Sequence, residues 1–176
     1  MNRILAFIAA YITAFILPAA AAATTHTPNA PPPEFIDRGA CPFECCVYRD
    51  WTTTREVTLV DKPRSSHVVI KIPTGRTVTG VTGQVISKPV RWVAVRDLEE
   101  GIHKGDVYYL LHYAGEGYWA VWHRGRVVNV SLEAQDGAKD GGAGDQSVWW
   151  VQIRTRDGHT GWAVSTDNFA NQDSCG

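Results

Sequence analysis

The sequence lacks an excess of charge of either sign. It carries 17 Lys and Arg residues against 18 Asp and Glu residues, for a formal net charge of -1. Nucleic-acid-binding proteins are usually basic or carry a basic stripe, so this balance argues against that class. Charged residues make up 20% of the chain and hydrophobic residues 44%. These fractions exclude a disordered chain and a protein embedded in a membrane over most of its length.

The sequence also lacks the common motifs of hydrolases and metalloenzymes. It contains no Gly-x-Ser-x-Gly elbow, no His-Glu-x-x-His and no His-x-His spacing. An enzyme of these classes needs a nucleophile beside a base, or a metal with an open position. The sequence therefore predicts a protein that is not an enzyme and needs no cofactor. The alternative is a zinc site in which His112 and His123 face each other across a hairpin.

Long hydrophobic runs are absent except at the N-terminus. Arg3 precedes an apolar stretch of about 14 residues, which is shorter than the roughly 20 needed to span a bilayer. Three alanines follow at 21–23, so residues 1–23 are predicted to be a signal peptide that is cleaved before Thr24. The mature protein is then expected to be periplasmic or secreted, with no membrane contact. Residues 24–34 contain three consecutive prolines and predict an extended linker.

Cysteine is scarce, and its placement is informative. In an exported protein an even number of cysteines indicates disulfides. A bridge between adjacent Cys45 and Cys46 is sterically poor. Cys175 is therefore expected to pair with Cys45 or Cys46, closing a loop of about 130 residues, and Cys41 with the other. The alternative is that nearby thiolates, with Cys41 and Cys45 in a C-x3-C spacing, hold copper(I).

The rest of the chain has little helical periodicity. Short runs rich in Val, Ile, Thr, Trp and Tyr alternate with Gly, Pro and Asp, which is typical of an all-β protein. The Gly- and Asp-rich segment 136–145 predicts a solvated loop rather than a strand. The predicted strands are 56–60, 67–72, 76–81, 85–86, 90–95, 107–113, 118–122, 127–130, 148–155 and 160–164.

The last two predicted strands form a hairpin whose register can be derived. Asp157 and Gly158 suit a two-residue turn, because both of its central positions need a positive φ. This turn would place Ile153 opposite Trp162. The predicted core face then consists of Trp149, Val151, Ile153, Trp162 and Val164. The predicted outward face consists of Trp150, Gln152, Arg154 and Arg156.

Three stretches resemble the bacterial SH3-like (SH3b) domain family. Residues 57–75 (VTLVDKPRSSHVVIKIPTG) resemble its opening strand and loop, residues 78–81 resemble the strand that follows, and residues 150–164 (WVQIRTRDGHTGWAV) resemble its closing hairpin. The resemblance implies small SH3-like barrels, and the bridge expected from the position of Cys175 would join the chain ends as a closed barrel needs. Residues 91–130 match no single copy, so they belong either to a hairpin enlarging one barrel or to a second packed barrel. We expect two barrel regions, 35–95 and 96–176, with the closing hairpin at 148–164.

The resemblance also implies a function. Members of this family in exported bacterial proteins often recognise cell-wall peptides, and an aromatic-lined groove is a suitable site for an extended peptide. We therefore expect a non-catalytic binding module of the cell envelope. The candidate ligand-binding residues are Trp119, Trp122, Trp150 and Arg154. The alternative is a structural or inhibitory envelope protein that binds another protein.

Overall fold

The computed structural model describes residues 30–133, the backbone of 137–139, and residues 146–175. Over these ranges the chain forms strands and turns and no helix, which confirms the all-β prediction. No helix in this part of the chain is long and apolar enough to cross a membrane. The predicted signal peptide 1–23 and residues 24–29 of the predicted linker lie outside the described residues.

Thirteen strands are present in the described part of the chain, and they form two sheets. The strands are β1 (Phe35–Arg38), β2 (Asp50–Thr53), β3 (Val57–Val60), β4 (Val68–Ile72), β5 (Thr77–Ser87), β6 (Val90–Ala94), β7 (Val107–Gly115), β8 (Tyr118–His123), β9 (Arg126–Ser131), β10 (Gly137–Lys139), β11 (Ser147–Arg154), β12 (Thr160–Val164) and β13 (Phe169–Ala170).

The first sheet is organised around β5. Its strand order is β13-β2-β5-β11-β12-β3-β4, and β1 also pairs with β5. Strand β5 is 11 residues long, so it pairs with β2 at its start and with β1 at its end, while β11 runs along its other side. The register of β5 and β11 shifts between Gln152 and Ile153. Such a bulge bends the strand and increases its twist, and the sheet curls into a half-barrel.

The second sheet has the order β10-β6-β7-β8-β9. All of its strands come from the segment between β5 and β11, so it is an insertion into the first sheet. The two sheets therefore do not coincide with the predicted regions 35–95 and 96–176. One of its strands, β10, lies within the segment predicted to be a loop. That prediction was wrong there, because backbone pairing with β6 needs no strand-favouring side chains.

Each sheet buries its own hydrophobic core. The core of the first sheet consists of Trp51, Val57, Leu59, Ile72, Val78, Val151, Ile153, Ala163 and Phe169. The core of the second consists of Val90, Trp92, Ala94, Ile102, Tyr108, Leu110, Val121, Val128 and Val130.

A buried histidine links the two sheets. His112 on β7 is only 3% exposed, and its Nε2 atom lies 3.1 Å from Oδ2 of Asp37 on β1. Its Nδ1 atom lies 2.8 Å from the carbonyl oxygen of Tyr113. The ring thus contacts both a side chain of the first sheet and the backbone of its own strand. The contact stabilises the packing of β7 against β1.

The cysteines form the disulfides Cys41–Cys46 and Cys45–Cys175. This confirms the expected involvement of all four cysteines and selects one of the two pairings left open. The second bridge spans 130 residues and joins the C-terminal segment to the segment before β2. No cysteine is free, so no thiolate remains for the alternative copper(I) site. Two disulfides indicate an oxidising compartment.

The predicted register of the closing hairpin was wrong by one residue. Gln152, not Ile153, lies opposite Trp162, and Trp150 lies opposite Val164. The amide of Thr155 donates to the carbonyl of His159 at 2.9 Å, so the connecting loop has three residues rather than two. Because side chains alternate along a strand, this shift moves Trp162 and Val164 from the predicted core face to the opposite face.

Candidate functional site

The side of the first sheet that faces away from its core forms a mixed aromatic and polar surface. On β11 and β12 it consists of Trp150, Gln152, Trp162 and Val164, which pair across the two strands. Val60 on β3 lies opposite Trp162 and extends the surface. All five side chains are half-buried. We refer to this side of the sheet as the outer face.

The alternation of residues along β11 produces the outer face. Val151 and Ile153 are fully buried in the core, so the residues between and beside them must point the other way. On β12 the core side carries the small residues Gly161 and Ala163. Gly161 lies against Leu59, because a Cβ at position 161 would lie 2.9 Å from the Leu59 Cβ. The large side chains of β12 therefore stand on the outer face.

The outer face has an apolar border at one end. Ile36 and Val148 flank Ile86 across three strands. Ile36 is 37% exposed and Val148 is 40% exposed, whereas Ile86 is buried. Scattered exposed aliphatic residues are normal, but neighbours on adjacent strands form a continuous apolar surface. The border thus extends the surface that begins at Trp150.

Polar groups lie between these apolar side chains. Gln84 lies opposite Trp150 and is buried, and its Oε1 atom accepts a hydrogen bond from Arg38 Nη1 at 3.4 Å. Gln152 adds a second amide, which carries both donors and acceptors. Arg154 is exposed at the turn end of β11, two residues along the same face. The face therefore combines hydrophobic area with hydrogen-bonding groups and a positive charge.

The four predicted ligand-binding residues do not form one site. Trp150 and Arg154 share the outer face, as predicted. Trp119 and Trp122 lie on β8 in the second sheet, on opposite faces of that strand. Trp119 packs against the second core and makes an edge-to-face contact with Tyr113, with ring centroids 5.4 Å apart.

Sequence reasoning missed two residues of the outer face, Trp162 and Val164, because it assumed a two-residue turn. The useful signal was the pair of small residues Gly161 and Ala163. Small side chains at alternate positions mark a face on which another element approaches closely. A hairpin in which these two residues face the core has the observed register of β11 and β12.

The hairpin does not bring the two candidate zinc ligands together. His112 lies opposite Ala120, and His123 lies opposite Arg126. Their Nε2 atoms contact different carboxylates, Asp37 at 3.1 Å and Asp106 at 3.4 Å. In the described part of the chain one group of metal-ligating side chains comes together, Cys45, Asp173 and Cys175. The two sulfur atoms of that group are bonded to each other.

Comparison with known proteins identifies no relative. No family model matches the sequence, and no curated protein or solved structure is significantly similar to it.

Proposed function

We propose that the protein is a non-catalytic binding module of the bacterial cell envelope and that it recognises an extended peptide, with cell-wall peptide as the expected class. The binding site is the outer face of the first sheet. The proposal follows the resemblance of residues 57–75 and 150–164 to the bacterial SH3-like family. It is supported by the contact between those stretches, since β12 pairs with β3 through Trp162 and Val60.

The arrangement of Trp150 and Trp162 is the observation that carries the proposal. They are diagonal neighbours on adjacent antiparallel strands, a relationship that separates residues by about 7–8 Å. Alternate residues of an extended peptide repeat at about 6.6–6.8 Å and point to the same side. Two side chains of one peptide would therefore match the spacing of the two tryptophans. Gln152, opposite Trp162 and two residues along β11 from Trp150, would be a hydrogen-bond partner for the peptide backbone.

The proposed location in the envelope is supported by the disulfides. The Cys45–Cys175 and Cys41–Cys46 bridges fit an oxidising compartment. Cleavage of residues 1–23 and release to the periplasm or the exterior belong to the proposal. A non-catalytic role fits the oxidation of every cysteine, because a cysteine in a disulfide is not available as a nucleophile.

A sedimentation assay with purified cell-wall sacculi tests the proposed function. The oxidised protein should be retained, and Trp150→Ala and Trp162→Ala should each lose most of that retention. Tyr118→Ala is the matched control, because Tyr118 is a 40% exposed aromatic residue on the second sheet. This control should be retained like the unaltered protein.

Two outcomes would count against the proposal. Equal loss for Tyr118→Ala would show that retention does not depend on the outer face. Absence of retention for all four proteins would reject wall binding. The alternative of a structural or inhibitory protein that binds another envelope protein would then become the better candidate.

A further inference from the structure

The first sheet is not closed, and β4 is one of its end strands. Within the described ranges β4 pairs with β3 on one side and with no strand on the other. The connection from β4 to β5 consists of residues 73–76 only, yet the two strands do not pair with each other. A free strand edge of this kind presents a row of N–H and C=O groups on which a further strand can form.

The start of β5 borders the same opening in the sheet. Thr77 and Val78 pair with β2 on one side. On the other side the pairing of β5 with β11 begins only at Thr79, which lies opposite Arg154. The first two residues of β5 therefore have no strand partner on that side in the part of the chain that the structure describes. Two backbone edges, one on β4 and one on β5, flank the opening.

A cavity of about 430 Å³ lies in this opening. Residues 70–73 at the end of β4, residues 75–78 at the start of β5 and residues 155–157 in the turn of the closing hairpin line it. Ligand pockets usually have volumes of about 300–1,000 Å³. The size of the cavity thus suits part of an extended chain that continues along β4.

The apolar side chains of the lining belong to the edge of the first core. Ile72 and Val78 are buried in that core, and Ile70 packs against it. A strand added beside β4 would point every second side chain toward these residues. Apolar side chains at those positions would extend the core, and the side chains between them would point outward, as Lys71 does between Ile70 and Ile72.

The charged residues around the opening are mainly basic. The lining contains Lys71, Arg76 and Arg156 against one acid, Asp157, and all four are exposed. Nζ of Lys71 lies 3.5 Å from Oε1 of Glu56, so with Glu56 counted three positive charges face two negative ones. This excess acts over the Debye length of about 8 Å at physiological ionic strength, whatever the direction of a single side chain. It favours acidic residues on the outward side of an added strand.

We propose that the opening beside β4 binds an extended peptide of a partner protein as an added strand, and that the side chains of this peptide alternate between apolar and acidic. In this mode main-chain hydrogen bonds supply affinity, and the positions of alternate side chains supply specificity. The inference does not rest on the proposed function, because it concerns the backbone edge of β4 rather than the side chains of Trp150 and Trp162.

NMR titration of the oxidised protein with the acetylated and amidated peptide VEVEV tests this proposal. The peptide should shift the amide resonances of β4 and of Thr77 and Val78 in a saturable way. The amide protons of β4 that do not bond to β3 should exchange with solvent more slowly in the complex, because an added strand would pair with them. The peptide VKVKV has the same alternation and the opposite charge, so it should bind more weakly.

A pair of charge variants tests the electrostatic part of the proposal. Arg156→Gln should reduce the affinity for VEVEV by about twofold to fivefold, the effect of one exposed ion pair. The matched control is Arg126→Gln, which removes the same charge from an exposed position on β9 of the second sheet and should leave the affinity unchanged. Both side chains are exposed, so neither substitution disturbs a core.

Four outcomes would overturn the proposal. In the first, VEVEV shifts no amide resonance of β4. In the second, VKVKV binds as tightly as VEVEV. In the third, Arg126→Gln weakens binding as much as Arg156→Gln. In the fourth, the amides on the free edge of β4 already exchange slowly without peptide and the protein sediments as a dimer, which would mean that a second copy of the chain covers this edge.

Discussion

The indole ring of Trp51 lies directly against the backbone of Gly80. A Cβ atom at position 80 would stand 2.8 Å from both Cη2 and Cζ2 of that indole. Trp51 is fully buried and also packs against Phe169, with ring centroids 5.5 Å apart. The curled sheet thus closes over Trp51 because β5 has no side chain at this position.

Gly80→Ala should therefore destabilise the protein. The added methyl group must displace a buried ring, and overpacking of this kind costs about 1–3 kcal/mol of unfolding free energy. Urea unfolding measures the effect. Val81→Ala is a suitable control, since Val81 is the next residue on the same strand and is 39% exposed. Equal unfolding free energies for Gly80→Ala and the unaltered protein would contradict the close packing.

The closing hairpin shows what could be predicted from the sequence and what could not. The two strands, the presence of a turn between them and the placement of Val151 and Ile153 in the core followed from composition and alternation. The register did not, because an Asp-Gly pair suits a two-residue turn and also a longer loop. Gly158 has a φ of +92°, which either loop would accept. One residue of loop length then decided the orientation of every side chain on β12.

Local patterns left open whether residues 91–130 enlarge one barrel or form a second one, and they could not show that this segment is inserted as a separate sheet. The sequence indicated strands on both sides of residue 95, but β5 pairs with β11 across more than fifty intervening residues. Pairing between strands so far apart in the sequence depends on tertiary packing, and the spacing of hydrophobic residues along the chain carries no information about it. For the same reason, the sequence could not show that the candidate residues Trp119 and Trp150 lie on different sheets.

The two disulfides should contribute unequally to stability. In the chain-entropy model the stabilisation grows with the length of the closed loop. Cys45–Cys175 closes a loop of 130 residues and Cys41–Cys46 a loop of 5. Replacing Cys45 and Cys175 by serine should thus cost about 5 kcal/mol, and replacing Cys41 and Cys46 about 2 kcal/mol. Denaturant unfolding of the two double variants provides the comparison, and a larger loss for the short loop would reject the entropic explanation.

Tyr48 should titrate apart from the other tyrosines. Burial raises its pKa to about 12, and the charge of Asp37 adds to this effect although a hydrogen bond with Trp149 opposes it. Its hydroxyl also donates a hydrogen bond to the carbonyl oxygen of Ala40. A spectrophotometric titration of tyrosinate absorbance should therefore show a late step, and Tyr48→Phe should remove that step.

The raised pKa of Tyr48 also predicts how stability depends on alkaline pH. The unfolded chain loses this proton near the ordinary tyrosine pKa of about 10, whereas the folded protein keeps it up to about 12. The folded state then binds more protons than the unfolded state, so its stability falls as pH rises through this interval. Tyr48→Phe should show a smaller decrease than the unaltered protein. An identical decrease in unfolding free energy in the two proteins would show that the fold does not hold the proton on Tyr48.

His123 should make the protein less stable in mild acid. Its side chain is 3% exposed, and burial, followed by the charge of Arg124, lowers its pKa although nearby Asp106 opposes the shift. The unfolded chain gains a proton near the ordinary histidine pKa of about 6.5, while the folded protein keeps the ring neutral to lower pH. Between these two pKa values the unfolded state binds more protons than the folded state. The unfolding free energy is therefore highest above about pH 6.5 and decreases as the pH falls from there through the pKa of the folded protein.

Urea unfolding at about pH 7.5 and about pH 5 tests this prediction, since the interval spans the ordinary histidine pKa. His123→Gln removes the titrating ring, so it should narrow the difference in unfolding free energy between the two pH values. His67→Gln is the matched control, because His67 is exposed in the loop between β3 and β4, and it should leave that difference unchanged. A difference that narrows equally in both variants would mean that the acid sensitivity does not come from the buried ring beside Asp106.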